Sequence, residues 1–369
     1  MASYFRSKRI LVTGATGSIG SEVVRQLLGQ QPQTVRLFSR DEHKQHLFQQ
    51  ELGDRPRFDV RYLLGDIRDY QRMLRAMEGM DCVFHCAAYK QVPFCEYNSF
   101  EAVKTNVIGT QNVIDAAIAQ GVARVLLIST DKAASPSSVM GATKLLAEKI
   151  MTSAMYTAGG HPIRFASVRF GNVLGSRGSV IPTFQEQIRK GGPVTITHPD
   201  MVRFFMSLPQ AVRLTFDAME QMEGGELFIL KMPVVRLGDL ADAVIEEFAP
   251  LYGRDPAAIE RKITGVRPGE KMQEVLMTAE EAQYARETKT MFIVRSPLAV
   301  PGFESAVREP KASGIDRYVT ENLPTLAKQE IVALVRELSG AHADVETAPA
   351  SRHVKLPQPT PSITPYVGE

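Results

Sequence analysis

The sequence predicts an α/β fold, a doubly wound parallel sheet followed by a smaller C-terminal lobe. Three observations carry this expectation. Short apolar runs alternate with longer helical stretches through the first half of the chain. A glycine-rich turn joins the first run to the first helix. After Arg169 the alternation breaks into short segments separated by Gly/Pro-rich loops. Strands that alternate with helices need crossover connections, which lay the strands parallel and put helices on both faces.

In chain order, Arg9–Thr13, Thr34–Ser39, Phe58–Leu64, Asp81–Cys86 and Ala123–Ser129 have strand length and an apolar middle, so they read as buried strands. Helical spacing fills Glu22–Leu28, Asp69–Met77 and Glu101–Gln120 between them. The loops Gly171–Pro182 and Gly191–Asp200 mark the looser second part. Residues 1–170 are expected to form the sheet domain, and 171–340 mainly the lobe, with some segments returning to the sheet. From about Gly340 the chain turns proline-rich (Pro349, Pro357, Pro359, Pro361, Pro365) and poor in large apolar residues. Such a segment cannot offset its ordering entropy, so 341–369 is expected to be a disordered tail.

Composition removes several classes of function. The 369 residues are 44% apolar and 23% charged, as in a soluble globular protein. Lys plus Arg against Asp plus Glu is 43 against 41, a net charge of +2, so no global field points to nucleic acid. Cys82, Cys86 and Cys95 are odd in number and lack CxxC spacing, which argues against a disulfide scaffold and against a zinc site. No apolar run approaches the roughly 20 residues that span a bilayer. Met1 to Arg9 has no apolar stretch of a secretory signal behind it. The expectation is a cytoplasmic, metal-independent enzyme or binding protein without membrane insertion.

The first strand runs into Thr13-Gly14-Ala15-Thr16-Gly17-Ser18-Ile19-Gly20 and then a helix. Glycines there permit a tight turn and let backbone N–H groups approach a pyrophosphate at the helix N-terminus. The pattern predicts a dinucleotide site in a Rossmann-like sheet. Gly14, Thr16, Gly17, Ser18, Ile19 and Gly20 are its candidate contacts. The second strand ends Ser39-Arg40-Asp41. NAD-selective folds commonly place a carboxylate at that strand end for the ribose 2′-OH. Ser39 and Arg40 instead suit a 2′-phosphate through charge-assisted hydrogen bonds, so NADP is favoured over NAD, with Asp41 the residue that speaks for NAD. Asp66 and Ile67 follow the third strand and would border the adenine. Ala87 and Ala88 close the fourth as a small-residue floor.

The fifth strand ends Ser129-Thr130-Asp131-Lys132, which sets hydroxyl, carboxylate and ammonium side by side at the edge where ligands of such sheets bind. Met140 and Lys144 open the next helix at i and i+4, on one face. Short-chain dehydrogenase/reductases carry Tyr-x-x-x-Lys there, and here the tyrosine is methionine.

Residues from Ile10 to about Leu338 resemble the extended short-chain dehydrogenase/reductases of polysaccharide biosynthesis, specifically the UDP-N-acetylglucosamine 4,6-dehydratases. The matching stretches are Phe38-Ser39-Arg40-Asp41-Glu42, Ala87-Ala88-Tyr89-Lys90-Gln91-Val92-Pro93, Ser129-Thr130-Asp131-Lys132-Ala133, Met140-Gly141-Ala142-Thr143-Lys144, Val168-Arg169-Phe170-Gly171-Asn172-Val173 and Arg267-Pro268-Gly269-Glu270-Lys271. The chain resembles the short soluble branch with methionine at position 140.

The resemblance implies a redox-neutral dehydration. Hydride leaves C4 of the sugar for NADP+, the C5 proton and the C6 hydroxyl are eliminated, and the hydride returns to C6. Asp131 would protonate the departing hydroxyl, Thr130 would bind the C4 oxygen, and Lys132 would be the C5 base. Lys132 can serve only if its pKa falls well below about 10.4, with Lys144 as a neighbouring cation and ribose anchor. Met140 cannot exchange a proton and reads as a packing residue that shapes the pocket. The C4 hydroxyl proton therefore falls to Lys144, Lys132, Thr130 or a water.

Lys90 and Asn106 would reach the cofactor, Lys90 also the substrate. Asn172, Ser179, Val180, Arg203, Arg267 and Glu270 would hold the diphosphate and ribose of a UDP-sugar, Thr195 and Ile196 would cover the base, and Met201 would be a further substrate contact. C5 inversion and a homo-oligomer, dimer or hexamer, are expected. A GDP-linked or C5-retaining dehydratase, a nucleotide-sugar 4-epimerase and a noncatalytic NADP-sensing protein are the alternatives.

Overall fold

A computed structural model of the chain describes residues 3–53, 59–267, 269–296 and 314–336. Phe58 and the proline-rich 341–369 lie outside the described residues. The first part is a regular alternation of β1 (Arg9–Thr13), α1 (Ser18–Gly29), β2 (Thr34–Ser39), α2 (Glu42–Leu52), β3 (Asp59–Leu64), α3 (Tyr70–Met77) and β4 (Cys82–His85). Asp41 and Asp69 start α2 and α3 by accepting hydrogen bonds from Lys44 N and Arg72 N, as N-cap aspartates do.

After β4 come α4 (Val92–Tyr97) and α5 (Ser99–Val103), one π-helical turn over Lys104–Ile108, α6 (Gly109–Ala119) and β5 (Arg124–Ile128). The single helix expected over Glu101–Gln120 is thus three pieces. An inserted π turn re-aims the side chains it carries, and such turns concentrate at functional sites. Here it buries Thr105 and Asn106.

A 3₁₀ turn, Asp131–Ala133, leads to α7 (Val139–Thr157) and β6 (Arg164–Arg169). The chain then adds β7 (Asn172–Leu174), α8 (Val180–Arg189), β8 (Val194–Ile196), β9 (Val202–Ser207) and α9 (Leu208–Gln221), then β10 (Leu227–Leu230), β11 (Val234–Arg236) and α10 (Leu237–Phe248). It closes with β12 (Arg261–Ile263), β13 (Val275–Met277), α11 (Ala279–Ala282), β14 (Ala285–Glu287), β15 (Met291–Val294), β16 (Tyr318–Val319) and a helix at 328–336.

The central sheet has the order β14-β15-β10-β6-β5-β4-β1-β2-β3. From β3 to β10 every pairing is parallel, and β15 and β14 complete the edge antiparallel. The strand order reverses between β1 and β4, the point where ligands enter such sheets at the strands' carboxyl ends. Alternate residues serve opposite faces. Val12, Leu37, Phe84, Leu126 and Val168 pack with α1 and α9 on one side, and Leu11, Val83, Val125, Leu127 and Phe165 with α3, α6 and α7 on the other. A third core within the lobe joins α8, α10 and the 328–336 helix through Phe184, Val244, Phe248 and Val335. Among the described residues, no helix is long and apolar enough to cross a membrane and no cluster of ligating side chains could hold a metal.

Candidate active site

The turn after β1 depends on two glycines. Gly14 adopts φ +65°, and a Cβ there would stand 2.8 Å from the Ala87 backbone at the end of β4. A Cβ on Gly20 would stand 2.3 Å from the Gly14 carbonyl oxygen, so α1 could not seat against the turn. The cleft they open is about 610 Å³. Among the expected residues it brings together Gly14, Thr16, Gly17, Ser39, Arg40, Asp41, Asp66, Ile67, Ala87 and Ala88. Ser18 and Ile19 begin α1 beside it, where the helix dipole favours an anion.

At the far end of the cleft, the Arg40 guanidinium lies over the Tyr89 ring, 5.2 Å from its centroid. It also donates to the Tyr89 hydroxyl (3.2 Å) and to Asp66 (3.3 Å). The Ser39 and Thr16 hydroxyls are 2.7 Å apart. Asp41 caps α2 and pairs with the Lys44 ammonium, so its carboxylate is already engaged. Lys44 and Arg68 also line the cleft. Both look like ordinary solvated charges in sequence, and only the fold adds them to Arg40.

The Thr105 hydroxyl lines the same cleft, buried and without a hydrogen-bond partner. A buried polar atom of this kind calls for a partner from a ligand. The glycine cradle and this orphaned hydroxyl fit a dinucleotide. Asn106 does not line the cleft. Its carboxamide accepts from Tyr89 N (2.8 Å) and donates to Tyr89 O (3.1 Å) and to the Thr143 hydroxyl (3.0 Å), pinning the Ala88–Lys90 segment to α7.

β5 delivers Thr130, Asp131 and Lys132 into the 3₁₀ turn. Asp131, 1% exposed, accepts hydrogen bonds from the Thr130 hydroxyl (2.7 Å) and from Lys132 N (3.0 Å). The Lys132 Nζ stands 3.0 and 3.3 Å from its two carboxylate oxygens. α7 presses on this turn: a Cβ on Gly141 would lie 2.3 Å from the Lys132 carbonyl oxygen. Met140 sits in a small apolar cluster with Cys95 and Ala102 and does not line the cleft.

One turn along α7, the buried Lys144 Nζ donates to the Ile128 carbonyl (2.7 Å). Burial pulls its pKa down to about 8, against the opposing pull of Glu148. Lys132 behaves in the opposite way. Burial works to lower its pKa, but Asp131 and Glu274 together outweigh that and hold it above the ordinary lysine value. The depressed amine expected at Lys132 is therefore found at Lys144, because two carboxylates flank Lys132.

A second cavity, about 180 Å³, is lined by Lys132, Asn172, Arg203, Arg267 and Glu270, all expected, and by Val92, Ser137, Ser138, Lys271 and Glu274, which sequence reading missed. Arg267 and Glu270 pair at 4.0 Å. The remaining lobe candidates are not brought to this cavity. The Thr195 hydroxyl accepts from the Gln187 side chain (2.7 Å), Ile196 and Met201 pack in the lobe core, and Val180 packs against it. The Ser179 hydroxyl, at the start of α8, is buried without a partner. Lys90 reaches across to donate to the Arg177 carbonyl (2.9 Å). Arg177 in turn bonds the Ser18 hydroxyl through its N–H (3.0 Å) and the Thr16 carbonyl through its guanidinium. The lobe loop is thereby fastened to the glycine-rich turn.

Comparison with known proteins gives a consistent picture. Residues 10–296 match the profile of the family described as polysaccharide biosynthesis protein. The crystal structure of Pen from Bacillus thuringiensis superposes with a TM-score of 0.83 at 48% identity, covering 90% of this chain and 98% of that one. An uncharacterized membrane protein of Methanocaldococcus jannaschii is 48% identical over 92% of this chain and 98% of its own length. A UDP-N-acetylglucosamine 4,6-dehydratase (inverting) of Campylobacter jejuni is 38% identical over 91% of this chain and 99% of its own. Relatives named UDP-glucose 4-epimerase also occur, one from Rickettsia canadensis at 35% identity over 93% of this chain and 100% of its own. The chain belongs to the polysaccharide biosynthesis protein family, among the extended short-chain dehydrogenase/reductases that include the nucleotide-sugar 4,6-dehydratases.

Proposed function

We propose that the protein is an NADP-dependent UDP-N-acetylglucosamine 4,6-dehydratase, C5-inverting, that makes a 4-keto-6-deoxy sugar nucleotide for surface glycans. The observation that carries this reading is the Asp131–Lys132 pair, hydrogen-bonded at 3.0 Å, with Lys132 on the wall of the cavity that holds Arg203, Arg267 and Glu270. Elimination needs an acid and a base on neighbouring atoms, and this pair supplies both types of group. A 4-epimerase needs proton transfer only at the C4 hydroxyl and no acid–base pair at C5 and C6.

The nicotinamide group, when bound, supplies a hydride acceptor for C4 and a hydride donor for C6. The chain's own residues handle protons and position. Thr130 orients the C4 oxygen, Asp131 protonates the leaving C6 hydroxyl, and Lys132 takes the C5 proton. With methionine at position 140, Lys144 is the group assigned the C4 hydroxyl proton, since an amine titrating near 8 has a substantial neutral fraction at working pH. Residues 171–340 mainly hold the sugar nucleotide: Arg203 and Arg267 suit a diphosphate bidentately, and Glu270 a ribose hydroxyl.

For the cofactor, Arg40, Lys44 and Arg68 line the cleft, Arg40 and Arg68 sharing Asp66, while Asp41 caps α2 and pairs with Lys44. This supports a 2′-phosphate. Arg40→Ala is expected to weaken NADP binding about 10- to 100-fold, the worth of a charge-assisted hydrogen bond, and NAD binding far less. Calorimetric titration with both nucleotides checks it, and an equal loss for the two would remove Arg40 from 2′-phosphate recognition.

The test of the function is incubation of the NADP-loaded protein with UDP-N-acetylglucosamine, with products read by mass spectrometry and NMR. Loss of one water, with solvent deuterium entering at C5, is the expected result. An isomeric hexose would mean a 4-epimerase, the reading that the Rickettsia relative favours. Turnover of only the GDP-linked sugar would move the base preference, and unchanged substrates would leave a noncatalytic sensor.

Both ligands are cytoplasmic metabolites, which supports that setting. The exposed Phe94, Tyr97 and Phe100 on α4 and α5 support a homo-oligomer in which a second copy covers them. A monomeric mass in sedimentation at micromolar concentration would exclude it.

A further inference from the structure

We propose that Glu274 is a positioning residue that decides where the shared proton of the Asp131–Lys132 pair resides. This rests on the dehydratase reading and deepens it. Glu274 lies just before β13, is 3% exposed, and lines the cavity that Lys132 also lines. Its backbone is clamped on both sides: Glu274 N donates to the Thr320 hydroxyl (3.0 Å), and Thr320 N donates to the Glu274 carbonyl (3.0 Å). The side chain is thereby fixed among charges. Its carboxylate stands 3.7 Å from Lys132 Nζ and 3.6 Å from Arg203 Nε, within ion-pair range and beyond hydrogen-bond range.

The two carboxylates beside Lys132 are therefore unequal. Asp131 accepts hydrogen bonds from Thr130 and from the Lys132 backbone and side chain. Glu274 is buried with its cations at arm's length. Burial, and next the Asp131 charge, push its pKa up, while Lys132, Arg203 and Lys271 pull the other way. Arg267 and Glu270, on the same cavity wall, pair with each other.

Ionised, Glu274 is a second counter-ion that holds the proton on the Lys132 ammonium, which then cannot act as a base. Protonated, it leaves Asp131 as the sole counter-ion, and one N–H proton can pass along the 3.0 Å hydrogen bond to Asp131. The Nζ–H bond breaks, an Oδ–H bond forms, and the pair becomes a neutral amine beside a carboxylic acid. That amine takes the C5 proton, the C–H electron pair forms the C5–C6 double bond as the C6–O bond breaks, and the Asp131 proton leaves with the hydroxyl as water. One proton is gained and one lost by the pair, so the count closes. Glu274 touches no reacting atom.

The readout is exchange at C5 of the enzyme's own 4-keto-6-deoxy product in deuterated water, followed by NMR against pH, which needs no hydride transfer and so does not report on Lys144. In the wild-type protein the exchange rate should fall as Glu274 ionises. Glu274→Gln keeps the neutral shape, so the fall should vanish, with exchange about tenfold faster on the former alkaline limb, the effect of removing one anion within ~4–6 Å. Glu274→Asp keeps the charge and should retain the fall. Thermal melting and UDP titration show that each variant is folded and binds. A Glu274→Gln profile that superimposes on wild type overturns this inference while the dehydratase reading stands. A wild-type protein that releases no water overturns that reading itself.

Discussion

Lys132→Ala is expected to abolish dehydration while leaving nucleotide binding intact. A positioned proton-transfer group contributes about 10²- to 10⁴-fold, so kcat should fall at least a hundredfold and approach zero where no other base can substitute. Affinity for UDP should stay within a few-fold, because the cationic side chains Arg203 and Arg267 of the second cavity are untouched. The variant also leaves Asp131, 1% exposed, with one hydrogen-bond donor fewer, so a modest loss of thermal stability should accompany the kinetic defect. Steady-state turnover of UDP-N-acetylglucosamine and calorimetric titration with UDP separate the two effects. Full turnover by the alanine variant would take Lys132 out of the mechanism, and lost UDP binding would make it a binding residue instead.

The sheet was legible because its information is local. Strand-length apolar runs separated by helical spacing leave few topologies, and β1, β2 and β5 fall within a residue of the expected runs. The glycine-rich turn was legible for the same reason: Gly14 and Gly20 are needed by contacts within one turn and the strand beside it. The π turn at Lys104–Ile108 left no mark, since its residues fit ordinary helical spacing.

The site was legible only where neighbours in sequence are neighbours in space, as in Thr130-Asp131-Lys132. Glu274 reaches Lys132 through a long return of the chain, and no spacing rule connects them. The charge on Lys132 illustrates the consequence. From sequence one carboxylate was visible beside it, and a depressed pKa was a fair demand of the chemistry. The second carboxylate adds to the upward pull of Asp131, and the two together outweigh burial. Sequence alone offers Lys144 as ribose anchor, neighbouring cation and one candidate for the C4 hydroxyl proton, and its burial beside β5 gives it the lowered pKa.

Arg169→Met should be the most damaging single change to stability. Arg169 is fully buried, and all five of its guanidinium N–H groups are used. They go to Glu148 on α7, to Glu281 on α11 and to the Leu276 carbonyl. Three distant stretches of chain meet at this one side chain: the helix that carries Lys144, strand β6, and the segment that follows Glu274. Removing the arginine leaves the buried Glu148 and the partly buried Glu281 without their counter-ion, which costs about 3–5 kcal/mol and lowers Tm on the order of 10 °C. Replacing all three side chains together by apolar residues of similar volume should recover most of that loss, because the penalty lies in the unpaired charges.

The two proteins should also respond to acid with opposite signs. In the wild type, burial works to raise the Glu281 pKa, but Arg169 outweighs it and holds the carboxyl below its ordinary 4.5. That pairing contributes fully above the ordinary value and is lost as pH falls through the lower one, so acid destabilises. In Arg169→Met that pull is gone and burial is the largest remaining influence on Glu281, ahead of the Thr278 N–H and Lys149, so its pKa should rise and mild acid should stabilise the variant relative to neutral pH. Thermal melts from about pH 3 to about pH 8, run on both proteins, read the sign directly, the wild type losing stability only below about 4.5. A variant that melts within 2 °C of wild type, or that loses stability in acid in the same way, would mean that Glu148 and Glu281 find other partners and that Arg169 does not join α7 to the C-terminal lobe.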